Sequence, residues 1–395
     1  MRNNGKGLDF NISDLLKQNR ILYPVFWLAT CVAFYRSGIY IALVFTLLIV
    51  PLLLKFKYYD ATFVLISLYS ISMGLVGGIM NSIPGGGTDI IFIIISPPLF
   101  YLFGKYIVDK SNRKHDIILF LAITILCFGF FLYRTILTDI IYNGFINPIR
   151  EMSIGGADRP ATHYGTIASL GFIGLGYFII IKKSNNLFMA LIFLLCSILS
   201  IITTFHLINR AGILIFIIST ISILVYYYKE NISKLVYILF ALILILLIVF
   251  SQSHYTLDLI NVYEARNSYD AATLGSRTIL WKDAIGNLVS YPWGWSELNI
   301  EMKHSLVHNY WLDNARIAGV FPFIFSVAIL FRPLRYLTRM LKTAKDSLVS
   351  LFLGIFIVMF LSLFIEPQLD ACPYYVSLFY LLLGLINKSY NKYLR

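Results

Sequence analysis

The sequence predicts an all-α polytopic membrane protein: about twelve transmembrane helices and one large outward loop that contains short helices of its own. Three observations carry this expectation. Hydrophobic residues make up 58% of the 395-residue chain and charged residues only 13%, with a mean hydropathy of +0.77. The apolar residues fall in runs of membrane-spanning length, and basic residues collect in every second gap between those runs. A soluble domain carries about 25% charged residues and has too little core to hide this much apolar surface. A soluble enzyme, a nucleic-acid binder and a disordered chain are therefore excluded, although a net charge of +12 and a pI near 9.4 would otherwise suggest nucleic acid.

A spanning helix needs about 17–25 mostly apolar residues, and lipid leaves an open backbone without partners. In chain order the runs are 21–35, 38–54, 61–81, 89–108, 116–134, 161–181, 187–206, 211–228, 234–250, 318–333, 347–365 and 372–387. The first is short and stops at Arg36, which suits a tilted or interfacial helix. Pro24, Pro51, Pro97 and Pro98 are expected to kink spans without breaking the fold. These runs divide the chain into an N-terminal membrane bundle (1–250), an outward loop (251–317) and C-terminal membrane helices (318–395). The N-terminal stretch is polar and has no cleavage site after an apolar core, so no removable signal peptide is expected. Cys31, Cys127, Cys196 and Cys372 are scattered without a CxxC spacing, which speaks against a disulfide framework or a zinc ribbon.

Orientation follows from the basic residues. With the N-terminus cytoplasmic, every inward gap is basic, from Lys55 and Lys57 through Lys182 and Lys183 to the stretch between Arg332 and Lys345, and both termini lie inside. Lysine dominates this inward set. Arginine dominates the outward one, where Arg36, Arg134, Arg150, Arg159, Arg210, Arg266, Arg277 and Arg316 face only Lys282 and Lys303. Orientation needs charge alone, so a surface that keeps arginine suggests forked recognition of phosphate or carboxylate. Pairing with outer acids is the alternative for any one of them.

Within the large loop, 277–290 (RTILWKDAIGNLVS) has apolar residues at helical spacing and ends at Tyr291-Pro292. The following WGWSEL suits a turn at the membrane interface. The stretch 301–317 (EMKHSLVHNYWLDNARI) is again helix-compatible and leads into the tenth span. A transporter of two matched halves would show a hydropathy repeat and no dominant loop, whereas this chain has one dominant late loop.

Five of the six histidines lie outward: His163, His206, His254, His304 and His308. His308 can serve as a general base. It can also be a structural hydrogen-bonder or, with His304 one helical turn earlier and Glu301, a metal ligand. Arg210, in HLINRAGIL, sits at a span boundary, where a guanidinium is costly unless it is paired, lines a wet cavity or snorkels. Arg277 opens the loop helix, and Arg159 precedes Pro160 at the head of the sixth span. Glu366, at the outer end of the eleventh span, can orient a histidine or neutralise an arginine. Asp313 and Arg316 read as a local ion pair.

GSRTILWKDAIGNLVSYPWGW resembles the arginine–tryptophan–proline–glycine segment of the O-antigen polymerase and ligase superfamily. HNYWLDNARIAGVFPFI resembles its His-Asn motif, and INRAG its Arg-x-Gly/Ala motif. The motifs occur in the family's order across roughly 200–330. The resemblance implies a GT-C-like glycosyltransferase of the bacterial inner membrane. Its donor would be an undecaprenyl-diphosphate-linked oligosaccharide, with no metal, cofactor or nucleotide. Its site would face the periplasm, among membrane lipids, and a partner would set chain length. On this resemblance Arg210 and Arg277 bind the donor diphosphate, His308 is the general base, and Asn309 supports it. Arg159, His304, Arg36 and Glu366 complete the expected substrate-binding set. The motif text favours a Wzy-type polymerase, with a ligase next and a glycolipid transporter or flippase as the reading from another class. If Arg210 acts through its fork, Arg210→Lys impairs glycan transfer in a complementation assay, and full activity of the lysine variant contradicts the diphosphate-fork role.

Overall fold

The apolar runs fold as helices. The fold is given by a computed structural model. It describes residues 21–33, 35, 38–80, 87–145, 151–154, 157–181, 187–207, 209–231, 233, 234, 236–238, 240, 277–296, 307–343, 346–366 and 368–393. Helices α1 (Leu22–Cys31) and α2 (Gly38–Ile49) are followed by α3 (Ala61–Ser72), which runs on as a π-helix over Met73–Met80. The long α4 (Gly87–Lys110) and α5 (Lys114–Asn143) come next. A hairpin of β1 (Glu151–Ile154) and β2 (Ala157–Pro160), with Met152 opposite Arg159, leads straight into α6 (Ala161–Ala168). Then follow α7 (Ile173–Ile181), α8 (Leu187–His206), α9 (Arg210–Tyr228) and α10 (277–290). The chain ends with α11 (Tyr310–Ala318), α12 (Val320–Thr343), α13 (Ser347–Ile365), the short α14 (Gln368–Ala371) and α15 (Pro373–Tyr393).

Among the described residues seven helices are long and apolar enough to cross a membrane: Ala61–Gly78, Ile91–Lys110, Lys114–Asn143, Phe188–His206, Ala211–Tyr228, Val320–Thr343 and Ser347–Ile365. The protein is thus an all-α, multi-pass membrane protein. Leu47, Val64, Leu191, Leu195, Leu214 and Ile221 are exposed on helix surfaces. In a bilayer such residues meet lipid tails as apolar as themselves.

Several expected spans change shape. The run 161–181 is not one helix, because a 3₁₀ turn at Ser169–Phe172 separates α6 from α7. Gly171 and Gly174 lie so close to the α8 backbone that an added Cβ would meet the Cys196 carbonyl oxygen at 2.6 Å and the Phe193 oxygen at 1.9 Å. Hydroxyls of α8 satisfy carbonyls at the break: Ser200 Oγ donates to Ala168 O (2.7 Å) and Ser197 Oγ to Gly171 O (2.8 Å). The run expected to end at 134 continues to Asn143. The run expected over 318–333 begins after Gly319 and continues to Thr343, because its basic tail is itself a good helix former. Residues 241–276 and 297–306 lie outside the described set, so the ninth expected span and most of the large loop are not described.

The bundle is drawn together where α4 crosses α15. A Cβ on Gly384 would meet Tyr101 O at 2.1 Å, and one on Gly104 would meet Leu381 O at 2.3 Å, so the two backbones touch there. Near one end of the bundle Lys105 Nζ lies 2.5 Å from Asp60 Oδ2, and Asp60 also caps α3 by accepting from Phe63 N. Lys114 pairs with Asp346 at the start of α13. Glu366 stands at the other end of α13. Gly384→Ala is therefore expected to lower stability by about 1–3 kcal/mol through overpacking. Gly286→Ala, where a Cβ meets nothing within 4 Å on the helical stretch 277–290, is neutral or gains up to about 1 kcal/mol. Melting temperatures in detergent check this pair, and equal effects contradict the close crossing.

Candidate functional site

A buried carboxylate, that of Glu366, stands at the C-terminal end of α13. Its side chain is 1% exposed, and three chain segments converge on it. Arg277 Nη2, on the first residue of α10, stands 3.1 Å from Oε1. His163 Nε2, on α6, stands 3.3 Å from Oε2, and His308 Nδ1 stands 3.6 Å from the same oxygen. Burial pushes the carboxyl pKa up, but the two imidazoles and the nearby guanidinium outweigh burial and hold it well below the usual carboxylate range.

The segments are brought together by local bonds. Ser362 Oγ on α13 donates to Thr166 O on α6 (3.3 Å), which holds the two helices together one turn from His163 and Glu366. Trp281 Nε1 on α10 donates to Val307 O (3.1 Å), and the Trp281 ring packs edge-on against Phe364 at 5.1 Å. Arg277 and the His308 turn are thereby fixed to the end of α13.

His308 has φ 56, the only positive φ at a non-glycine among the described residues. Such backbone costs about 1–3 kcal/mol and persists only where its surroundings enforce it. The enforcing group is Asp313, buried in α11. Its Oδ1 accepts from Val307 N (3.1 Å) and its Oδ2 from Asn309 N (3.3 Å), bracketing His308. Arg316 Nε donates to Oδ1 (3.2 Å), as the sequence suggested. Asn309 caps α11: its Oδ1 accepts from Trp311 N and Leu312 N, while its Nδ2 donates to Phe364 O. Behind the turn Tyr310 OH bonds Tyr69 OH and Tyr380 OH, and Tyr69 OH donates to Asn314 Oδ1. At the far end of α11, Gly319 has φ +80, and a Cβ there would meet Pro292 O at 2.0 Å. That close approach lets the YPWGW turn dock: Val320 N donates to Pro292 O, and Trp295 N to Arg316 O.

Accessibility divides the cluster. The His308 side chain is 31% exposed and that of Arg277 26%, whereas His163 is 6% and Glu366 1% exposed. The His308 Nδ1 is buried against Glu366, so the accessible edge of the ring carries Nε2. A carboxylate facing Nδ1 favours a proton there and leaves Nε2 as the basic nitrogen. His163, His308 and Glu366 also offer ligand atoms within 4.8 Å of one another, a two-histidine, one-carboxylate set that could hold a metal ion. Arg277 already supplies a positive group to the same carboxylate.

The expected site residues fare differently. Arg277, His308 and Glu366 come together. Glu366, expected to bind substrate, is instead buried beneath the histidines. Both polar ends of the Asn309 amide are taken up by the backbone, so it holds the His308 turn. Arg210 opens α9, whose start is capped by the Asn209 side chain and lies against α6 at Gly165; a Cβ there would meet Asn209 Nδ2 at 2.2 Å. Arg159 lies on β2, four residues before His163. Arg36, His304 and Glu301 lie outside the described residues. In the described part of the helix expected over 301–317, residues 307–309 are not helical and a helix runs from Tyr310, so the His308 end of the proposed one-turn pair is not on a helix. His206, expected to face outward, is enclosed, with Nε2 2.7 Å from Asp139 and Nδ1 2.7 Å from Phe145 O. Sequence reasoning missed His163 as a member of the cluster and Asp313 as its clamp. The outward histidine set held the first signal, and nothing local held the second.

The family model described as O-antigen ligase matches residues 195–318. Over that stretch the chain is similar to the O-antigen ligase family. Its members are glycosyltransferase-type enzymes of lipopolysaccharide biosynthesis. No curated protein matches the chain. The matched segment contains Arg210, Arg277 and His308, whereas His163 and Glu366 join the cluster from outside it. The left-handed turn predicts a stability test. Both His308→Asn and His308→Val remove the imidazole from Glu366, but asparagine suits that backbone, so the valine variant is expected to be less stable than the asparagine variant by about 1–3 kcal/mol. A valine variant as stable as the asparagine variant contradicts the enforced turn.

Proposed function

We propose that the protein is an O-antigen polymerase. It transfers a glycan from undecaprenyl diphosphate to the terminal sugar of another undecaprenyl-diphosphate-linked repeat unit. The single observation that supports this reading is His308, held in a left-handed turn with Nδ1 against a buried carboxylate, its other ring edge accessible and Arg277 alongside.

The chemistry runs in one displacement. An acceptor hydroxyl gives its proton to His308 Nε2 as its oxygen bonds the anomeric carbon of the donor sugar. The bond from that carbon to the lipid diphosphate breaks, and the configuration inverts. Arg277, with Arg210, meets the negative charge that grows on the leaving diphosphate. Glu366 stabilises the imidazolium formed on His308. His163 and the rest of Arg277 keep that carboxylate charged and oriented. The site faces the periplasm of a bacterial inner membrane, both termini are cytoplasmic, and a partner protein sets chain length.

The matched family's own description favours a second reading, an O-antigen ligase that transfers the same glycan to lipid A–core. A deletion strain separates the two. Lipid A–core bearing one repeat unit is expected for a lost polymerase. Bare core with long lipid-linked chains indicates a lost ligase. Reintroduced His308→Asn is expected to restore neither glycan profile while inserting at parental levels. Near-full transfer by that variant overturns the base assignment.

A further inference from the structure

The inward basic set is mostly lysine, but one short stretch of it is not. Arg332, Arg335 and Arg339 lie at i, i+3 and i+7 on α12 and so share one helical face. With Phe331 and Tyr336 they line a cavity of about 480 Å³. Helix α12 starts beside Pro292, at the Glu366 end of the bundle. At about 1.5 Å per residue the three arginines lie roughly 18–28 Å along it, toward the opposite end.

Two of these guanidinium groups are held by neutral partners. Arg332 Nε donates to Tyr336 OH (2.9 Å), with its guanidinium carbon 5.3 Å from the centre of that ring. Arg339 Nη1 donates to Tyr390 OH (3.3 Å), and the Tyr336 and Tyr390 rings stack at 4.4 Å and 11°. Among the described residues none of the three forms an ion pair with an acid, and Asp60 on the neighbouring α3 is engaged by Lys105. The tyrosine pair thus orients two forks without supplying a counter-charge; Asp60 acts on Arg332 only through its field, while its own ion pair is with Lys105. Arginines near the end of a spanning helix reach toward the headgroups, where an anion can meet them. The flanks of the cavity are apolar and open: Phe331 is 71% and Leu334 37% exposed.

We propose that this cavity binds the phosphate of an anionic phospholipid, with Arg332, Arg335 and Arg339 on the headgroup and Phe331 and Leu334 against its acyl chains. Arginine suits the site because its planar fork matches two phosphate oxygens, and basic pockets between membrane helices take headgroups of this kind. The site lies at the opposite end of α12 from the Glu366 cluster and does not depend on the polymerase reading.

The test uses the full chain purified in detergent, with short-chain phosphatidylglycerol, short-chain phosphatidylcholine and inorganic phosphate as probes. Phosphatidylglycerol is expected to bind about ten-fold more tightly than phosphatidylcholine, and R335Q/R339Q to remove that preference. Arg335 and Arg339 are exposed, so a melting temperature near that of the parent is expected to show the variant folded. R335Q alone is expected to weaken phosphatidylglycerol binding in the same direction. A parent chain without preference, or variants that keep it, overturns the site. Full displacement of phosphatidylglycerol by an equal concentration of inorganic phosphate would make the ligand a free phosphate and overturn the lipid assignment.

Discussion

A carboxylate removed from water is the constraint on which this end of the bundle depends. Glu366 is 1% exposed, and isolating such a charge costs several kcal/mol. The charge persists because His163, Arg277 and His308 face it from three other parts of the chain. The cluster is thus a condition on the fold: α6, α10 and the turn before α11 must meet the end of α13. The bonds between Trp281 and Val307, between Asn309 and Phe364, and between Ser362 and Thr166 keep them there.

The same constraint shapes the chemistry. The buried side of the cluster holds the charge, and the accessible side holds the groups that could reach a substrate. His308 and Arg277 are both partly exposed and both backed by one carboxylate. A base and a cation held side by side suit a displacement in which a hydroxyl loses a proton as an anionic group departs. The helices beneath carry exposed apolar faces suited to lipid.

Much of this was legible in the sequence. Helix positions followed from apolar run length, because lipid permits little besides helix. Glu366 was readable as an acid beside a histidine or an arginine, and Arg277 and His308 stood in motifs. Other features depend on contacts distant in sequence. The break inside 161–181 arises from α8 packed against Gly171 and Gly174. The extension of α12 to Thr343 hid behind charges that resembled a loop. His163 is 203 positions from Glu366, and no local pattern joins them. The left-handed backbone at His308 is imposed by Asp313, five residues on, whose sequence neighbour Arg316 suggested only an ion pair.

The contact between Arg277 and Glu366 ties the large loop to the end of α13. A double-mutant cycle of Arg277→Gln and Glu366→Gln, read as unfolding free energy in detergent, tests it most directly. A coupling of about 0.5–3 kcal/mol is expected, with the double variant less destabilised than the sum of the single ones. Effects that add to within about 0.5 kcal/mol would contradict it.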